Sequence, residues 1–206
     1  MFHKLIISML AVAIVCSCGT NKANKLVSPL PSGLEIDALT DCMVPAEFTC
    51  DDFHWMGGNL TMKVFSETLY DAVEVNLLEP GDTILYEGEK IVVETIEKES
   101  SMVTVNGGLD NGGVWLQAGD GGTFRATEFN DHSVYSELGT VELPLSEDFR
   151  IIDCGTEPLD PSVTIATGQK IYLDTIEGWR REFSPLDTKV LIENGLITET
   201  VRRWIP

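Results

Sequence analysis

The chain has 206 residues, with 14 basic and 33 acidic side chains and a formal charge of −19. That balance argues against nucleic acid as a partner, because its phosphates would be repelled. It also argues against electrostatic adsorption to an anionic bilayer, and it suits a soluble body in an extracytoplasmic space.

The first residues do not read as part of a fold. Lys4 gives a positive start, and Leu5 to Val15 is an apolar run of signal-peptide length, too short to span a bilayer stably. The run ends Val15-Cys16-Ser17-Cys18-Gly19. This resembles the lipobox of bacterial lipoproteins, with the small Ser17 immediately before the cysteine. The resemblance covers residues 1–19 only. It implies that Cys18 is acylated and becomes the mature N-terminus, so that the body is lipid-anchored outside the cytoplasmic membrane; one acyl chain would hold weakly, several would hold firmly. Residues 1–17 are then a signal peptide, and 18–33 a lipidated Cys followed by a flexible linker containing Pro29 and Pro31.

The globular body is expected over 34–206. Cys42 and Cys50 flank a short loop-like stretch and are expected to form a disulfide, which an oxidising compartment permits. Cys154 is then left over, with a pairing to Cys42 or Cys50 as the rival arrangement. Leu60 to Phe65 reads as a strand, Ser66 to Ala72 as a helical turn or loop, and Val73 to Leu78 as an alternating strand. Residues 78–97 (LEPGDTILYEGEKIVVETIE) read as a β-hairpin with a turn at Gly88.

The same pattern returns in residues 159–177 (LDPSVTIATGQKIYLDTIE). Leu78/Leu159, Pro80/Pro161, Thr83/Thr164, Ile84/Ile165, Gly88/Gly168, Lys90/Lys170, Ile91/Ile171 and Thr95-Ile96-Glu97/Thr175-Ile176-Glu177 are identical once a one-residue gap is allowed. The echo indicates an internal duplication, with related units at about 57–120 and 121–206. Between the copies, Met102 to Val105, Val114 to Gln117 and Thr123 to Phe129 read as strands separated by Asn-Gly and Gly-Gly turns. At the end of the chain, Val190 to Ile192, Glu193-Asn194-Gly195 and Leu196 to Val201 form a hairpin signal. No helix of ordinary length is required anywhere. The expected fold is all-β: an internally duplicated small barrel or sandwich, with SH3-like half-barrels packed together.

Chemistry-bearing residues are sparse. Asp51, Asp52 and His54 lie together, and Asp131-His132 form another acid–imidazole pair, but no Gly-x-Ser-x-Gly motif completes a triad. The Asp-Asn-Gly and Asp-Gly-Gly stretches lack the alternating acids of a calcium loop, so no metal or cofactor is expected. Trp55, Trp115, Trp179 and Trp204 are candidate ligand-binding aromatics, with core packing as the plainer reading. Arg202-Arg203, like Arg180-Arg181, adjoin a Trp and either pair with the acidic surface or form a patch for an anionic partner. The expectation is therefore a non-catalytic envelope protein. It would bind another protein or an envelope polymer and reach the membrane through its N-terminal lipid. The alternative is a glycan-binding or glycan- or ester-hydrolysing protein, with Asp51, Asp52, His54 and Asp131 as its acids and base.

Overall fold

From Cys42 to Thr49 every second side chain points inward: Val44, Ala46 and Phe48 are buried while their neighbours are not. That two-residue period is the signature of a strand with one covered face. The computed structural model describes residues 23–54, 58–153, 164–167, 182–203 and 205. In chain order the strands are β1 (Leu26–Val27), β2 (Cys42–Thr49), β3 (Phe53–His54), β4 (Asn59–Glu67) and β5 (Leu69–Asp71), then the short helix α1 (Ala72–Asn76). There follow β6 (Thr83–Tyr86), β7 (Glu89–Val92), β8 (Ile96–Lys98), β9 (Met102–Val105), β10 (Val114–Ala118), β11 (Thr123–Thr127) and β12 (Tyr135–Asp153). The last are β13 (Thr164–Thr167), β14 (Glu182–Phe183), β15 (Thr188–Glu193) and β16 (Leu196–Arg202). The body is mostly β.

Five of these strands close on themselves. β2 pairs with β4, β4 with the first half of β12, the second half of β12 with β16, β16 with β15, and β15 with β2. Only the β12–β16 contact is parallel. Numbered in chain order, the strands run 1-2-3-5-4 around the ring, a Greek-key closure. β12 makes this possible by changing partner along its 19 residues. Pro144 is its last residue opposite β4, and Leu145 its first opposite β16. A proline, which has no N–H to give, fits where one ladder ends and the next begins. Gly139, at φ +152°, marks an earlier register shift, in a conformation that favours glycine. Inside the ring lie Val44, Phe48, Leu60, Met62, Val64, Phe149, Ile151, Val190, Ile192 and Ile197. Phe48 stacks on Phe183 at 4.4 Å, and the guanidinium of the buried Arg202 lies 4.5 Å from the Phe183 ring centre and donates to the Glu182 carbonyl.

Between β4 and β12 the chain builds a second core. β5, β11, β10, β9 and β8 form an antiparallel sheet, while β1, β6 and β7 form a small separate one. Tyr70, Val75, Ile84, Val105, Leu116 and Phe124 meet between them, and the Tyr70 hydroxyl donates to the Leu85 carbonyl at 2.8 Å. Asn106, at φ +51°, joins the layers: its amide oxygen accepts from the Glu94 and Thr95 N–H groups, and its nitrogen donates to the Val92 carbonyl.

Several expectations meet the structure directly. The hairpin read over 78–97 forms only at 83–92, since β7 ends at Val92 and Ile96–Lys98 leaves as β8 to pair with β9; β15–β16 forms as read, with Asn194 and Gly195 both at positive φ as a tight two-residue turn demands. Val73 to Leu78, expected as a strand, is instead α1 and its cap. The Asp71 carboxylate accepts from the Glu74 N–H and starts a helix that buries only Val75. The segment expected as a flexible linker is docked from Lys25 onward. β1 pairs in parallel with β6, Val27 is fully buried, and the buried Asp82 carboxylate accepts from the Lys25 and Glu79 N–H groups.

The expected Cys42–Cys50 bridge does not form. The two cysteines stand at opposite ends of β2, roughly 25 Å apart at the rise of an extended strand, several times the reach of a disulfide. Burial, with a contribution from Asp41, raises the Cys42 thiol above its ordinary pKa. Cys154 lies outside the described residues.

The described strands form one ring with an inserted second core. The matched segments take different neighbours: β6 pairs with β1 and β7, whereas β13 pairs with β12. The rest of the second copy lies outside the described residues.

Burial, then the charges of Glu87 and Glu128, pushes the Tyr86 phenol up to about 12, and burial raises Tyr70 likewise. A phenol that ionises at about 10 in the unfolded chain but later in the folded one favours unfolding as pH climbs. Its contribution is complete below about pH 10 and is lost through about pH 12. Ultraviolet titration should therefore show buried tyrosines ionising together with loss of the far-ultraviolet β signal. Ionisation of every tyrosine near pH 10 in a still-folded chain would contradict this packing.

Candidate functional site

The second core leaves the barrel at Glu67 and returns at Tyr135, and these two residues face each other across β4 and β12. Both stalks are tied to the inserted sheet. The Thr68 N–H donates to the Val134 carbonyl, the Ala126 N–H to the Thr68 carbonyl, and the Val134 N–H to the Ala126 carbonyl. Thr68 and Ser136 share a hydroxyl–hydroxyl bond of 2.8 Å. The inserted sheet thereby stands beside the barrel, and a cleft opens where they meet.

The cleft has two lobes that share Glu67 and Arg125. One, of about 550 Å3, runs along Leu69, Gln117, Asp120 and Thr123. The other, of about 370 Å3, is bounded on the insert side by Asp131, His132 and Ser133 and on the barrel side by Tyr135, Asp187, Lys189 and Arg203.

Arg125 forms the wall between the lobes. One guanidinium nitrogen donates to the Ser133 hydroxyl at 2.8 Å and another to the Gln117 side-chain oxygen. Ser133 passes the contact on, its hydroxyl donating to Glu67 at 3.1 Å. Tyr135 is half-buried beside them. Burial raises its phenol most, with Glu67 adding, while the Ser133 hydrogen bond and Arg125 pull the other way. Asp187 serves its own turn, accepting from Ser184 N–H, Ser184 hydroxyl and Thr188 hydroxyl. Among the described residues no ion pair joins Arg125, Lys189 or Arg203 to an acid, although the other salt bridges, Lys25–Glu74, Lys63–Glu47 and Arg150–Glu199, are made elsewhere.

The residues singled out from sequence are mostly elsewhere. Asp52 accepts from the backbone and side chain of Thr49 and, with Thr49, forms a capping box over residues 50–52; His54 bonds to the Thr61 hydroxyl at 3.1 Å. These groups support a turn and a strand edge and do not converge on a reacting centre. Asp131 and His132 do line the cleft. No group of three side chains suited to a metal ion occurs among the described residues. Arg202 is buried over Phe183, whereas Arg203 is exposed and reaches the cleft. Cys18, Trp55, Trp179 and Trp204 lie outside the described residues.

Trp115 is half-buried, on the face of β10 opposite the buried Val114 and Leu116. Its ring meets Phe129 edge-on at 5.4 Å, and the indole rests on Gly108, where a Cβ would come within 1.8 Å of the ring nitrogen. Arg125, Glu67, Ser133 and Lys189 escaped the sequence reading because they are isolated in the chain and meet only through the fold.

No family model matches this chain, and comparison with curated proteins and with solved structures likewise gives no match.

Gly108→Ala places a methyl group inside the Trp115 ring at a backbone φ of +80°. The substitution should destabilise the chain by roughly 2–3 kcal/mol and shift tryptophan emission, read by urea unfolding followed by fluorescence. An unchanged midpoint would mean that Trp115 is mobile and available to a ligand.

Proposed function

We propose that this is a lipid-anchored extracytoplasmic envelope protein of non-catalytic type that holds a protein or envelope polymer in the cleft between barrel and insert. The observation that carries the binding reading is the set of un-neutralised charges on that cleft. Arg125, Lys189 and Arg203 line it without an acid partner in a chain whose acids outnumber its bases more than two to one. Charges left unpaired in a concave site are available to a partner. Arg125 is also fixed by two hydrogen bonds, which lowers the entropy lost on engaging a ligand.

The anchor follows from the lipobox-like Cys18. With β1 starting at Leu26, the chain between them spans at most about 28 Å, so the body would sit close to the bilayer. No helix among the described residues is long and apolar enough to cross a membrane.

The ring order 1-2-3-5-4, parallel only between its third and fifth strands, resembles that of OB-type barrels, many of which bind oligomers across their second and third strands. Here that outer face carries Lys63–Glu47, Asn59–Glu142 and His54–Thr61, side chains that satisfy one another. Fold likeness alone carries no function, and the binding reading rests on the cleft. We also read the matched segments 78–97 and 159–177 as descendants of one hairpin that now serve different sheets.

One observation favours a hydrolytic alternative: Glu67 and Asp131 line the same lobe, and a glycosidase needs two facing carboxyls. Turnover of envelope glycans that disappears in both Glu67→Gln and Asp131→Asn would select it.

The test of the binding reading is affinity capture from envelope extracts with the full-length chain in detergent. Arg125→Ala combined with Lys189→Ala should lower retention at least tenfold, while Lys90→Ala, on the exposed strand β7, leaves it unchanged. Metabolic labelling with a fatty acid should mark the wild type and not Cys18→Ala. Equal retention by the double variant would remove the cleft from the function, and label persisting without Cys18 would remove the anchor.

A further inference from the structure

The smaller lobe carries charges of both signs that do not quench one another. Three bases line it, Arg125, Lys189 and Arg203, and three acids, Glu67, Asp131 and Asp187. Elsewhere this surface forms its ion pairs where base and acid come close, as Lys63 does with Glu47 at 2.9 Å. In the lobe none of the three bases is paired with an acid.

The acids divide by what occupies them. Asp187 is held by three donors from its own turn, and its backbone carbonyl accepts from the Arg203 N–H at 2.8 Å. Glu67 accepts one bond, from Ser133, and is otherwise exposed, as is Asp131, which sits at φ +59° on the rim. Glu67 and Asp131 therefore keep acceptor capacity facing the lobe. On the other side, Arg125 spends two donors on Ser133 and Gln117 and keeps the rest of its five.

A purely anionic ligand would meet Glu67 and Asp131 as repulsive charges, in addition to the field of a strongly acidic body. A purely cationic ligand would meet Arg125, Lys189 and Arg203. A neutral glycan would leave both sets desolvated and unmatched, which is costly. We infer that the lobe takes a peptide segment carrying an acidic and a basic side chain close together, with the acid toward Arg125 and Lys189 and the base toward Glu67 and Asp131. This rests on the binding reading above and names the chemistry of its partner.

The experiment uses the full-length chain in detergent on an array of tetrapeptides of matched hydropathy in four classes: acid and base together, acid only, base only, and uncharged. The mixed class should be enriched at least tenfold over the uncharged class, and enrichment should fall as salt rises. Glu67→Gln and Lys189→Gln should each reduce the mixed-class signal at least fivefold. The sign of the Glu67→Gln effect is decisive, because an anion site would bind acid-only peptides more strongly once that carboxylate is removed. Such a gain, or equal signals across the four classes, overturns the inference. If the array is flat while envelope capture still depends on Arg125 and Lys189, the cleft reading stands and only the peptide assignment falls. If capture is also independent of those residues, both fall.

Discussion

A sheet edge leaves a row of backbone N–H and C=O groups without partners, and β12 removes that liability for the barrel by serving two neighbours in turn. Its first half completes one side of the ring with β4, and its second half completes the other with β16. Everything else hangs on that handover. The barrel interior, from Val44 to Ile197, is enclosed only because the strand continues past Pro144 onto a new partner. The inserted core is placed by the same strand, since the chain re-enters the barrel where β12 begins, opposite the residue at which β4 ends.

The cleft is a by-product of this geometry that the sequence has furnished with charge. An insertion whose two ends are adjacent strands has to stand beside its host, and the wall it presents is β11 with the turn at 129–133. Arg125 is the side chain of that wall that touches both lobes. Its bonds to Ser133 and Gln117 hold it in place, and Ser133 connects it to Glu67 on the barrel. One hydrogen-bonded chain thus couples the two cores across the site, so a ligand that engages Arg125 also contacts the joint between them.

The readable parts of the fold were those with local chemistry. Asn194-Gly195 fixed the last hairpin, because both residues tolerate positive φ, and Gly88 did the same for the hairpin at 83–92. Alternation identified β4, β9, β10 and β11. It misled at Val73, Val75 and Leu77, where a period of two coincided with a helix that Asp71 starts and only Val75 anchors. It was silent at β12, whose Gly139 and Pro144 look like breakers when their neighbours are unknown but in the ring mark a register shift and a change of partner. β1 read as linker because two residues carry too little pattern, and its burial depends on Asp82, distant in sequence. The cleft was legible only in fragments. Asp131 and His132 drew notice as a pair, while Glu67, Arg125 and Lys189 come from three strands and have no shared motif.

The closure of the ring through β12 can be tested directly by assigning the backbone amides and recording cross-strand contacts together with hydrogen exchange. The account predicts contacts from Val141 to Met62 and from Ile151 to Thr200 in the same molecule, with amides of both halves of β12 exchanging only through global unfolding. Contacts on one side alone, with rapid exchange along the other half of β12, would show an open sheet and would take the cleft's geometry with it.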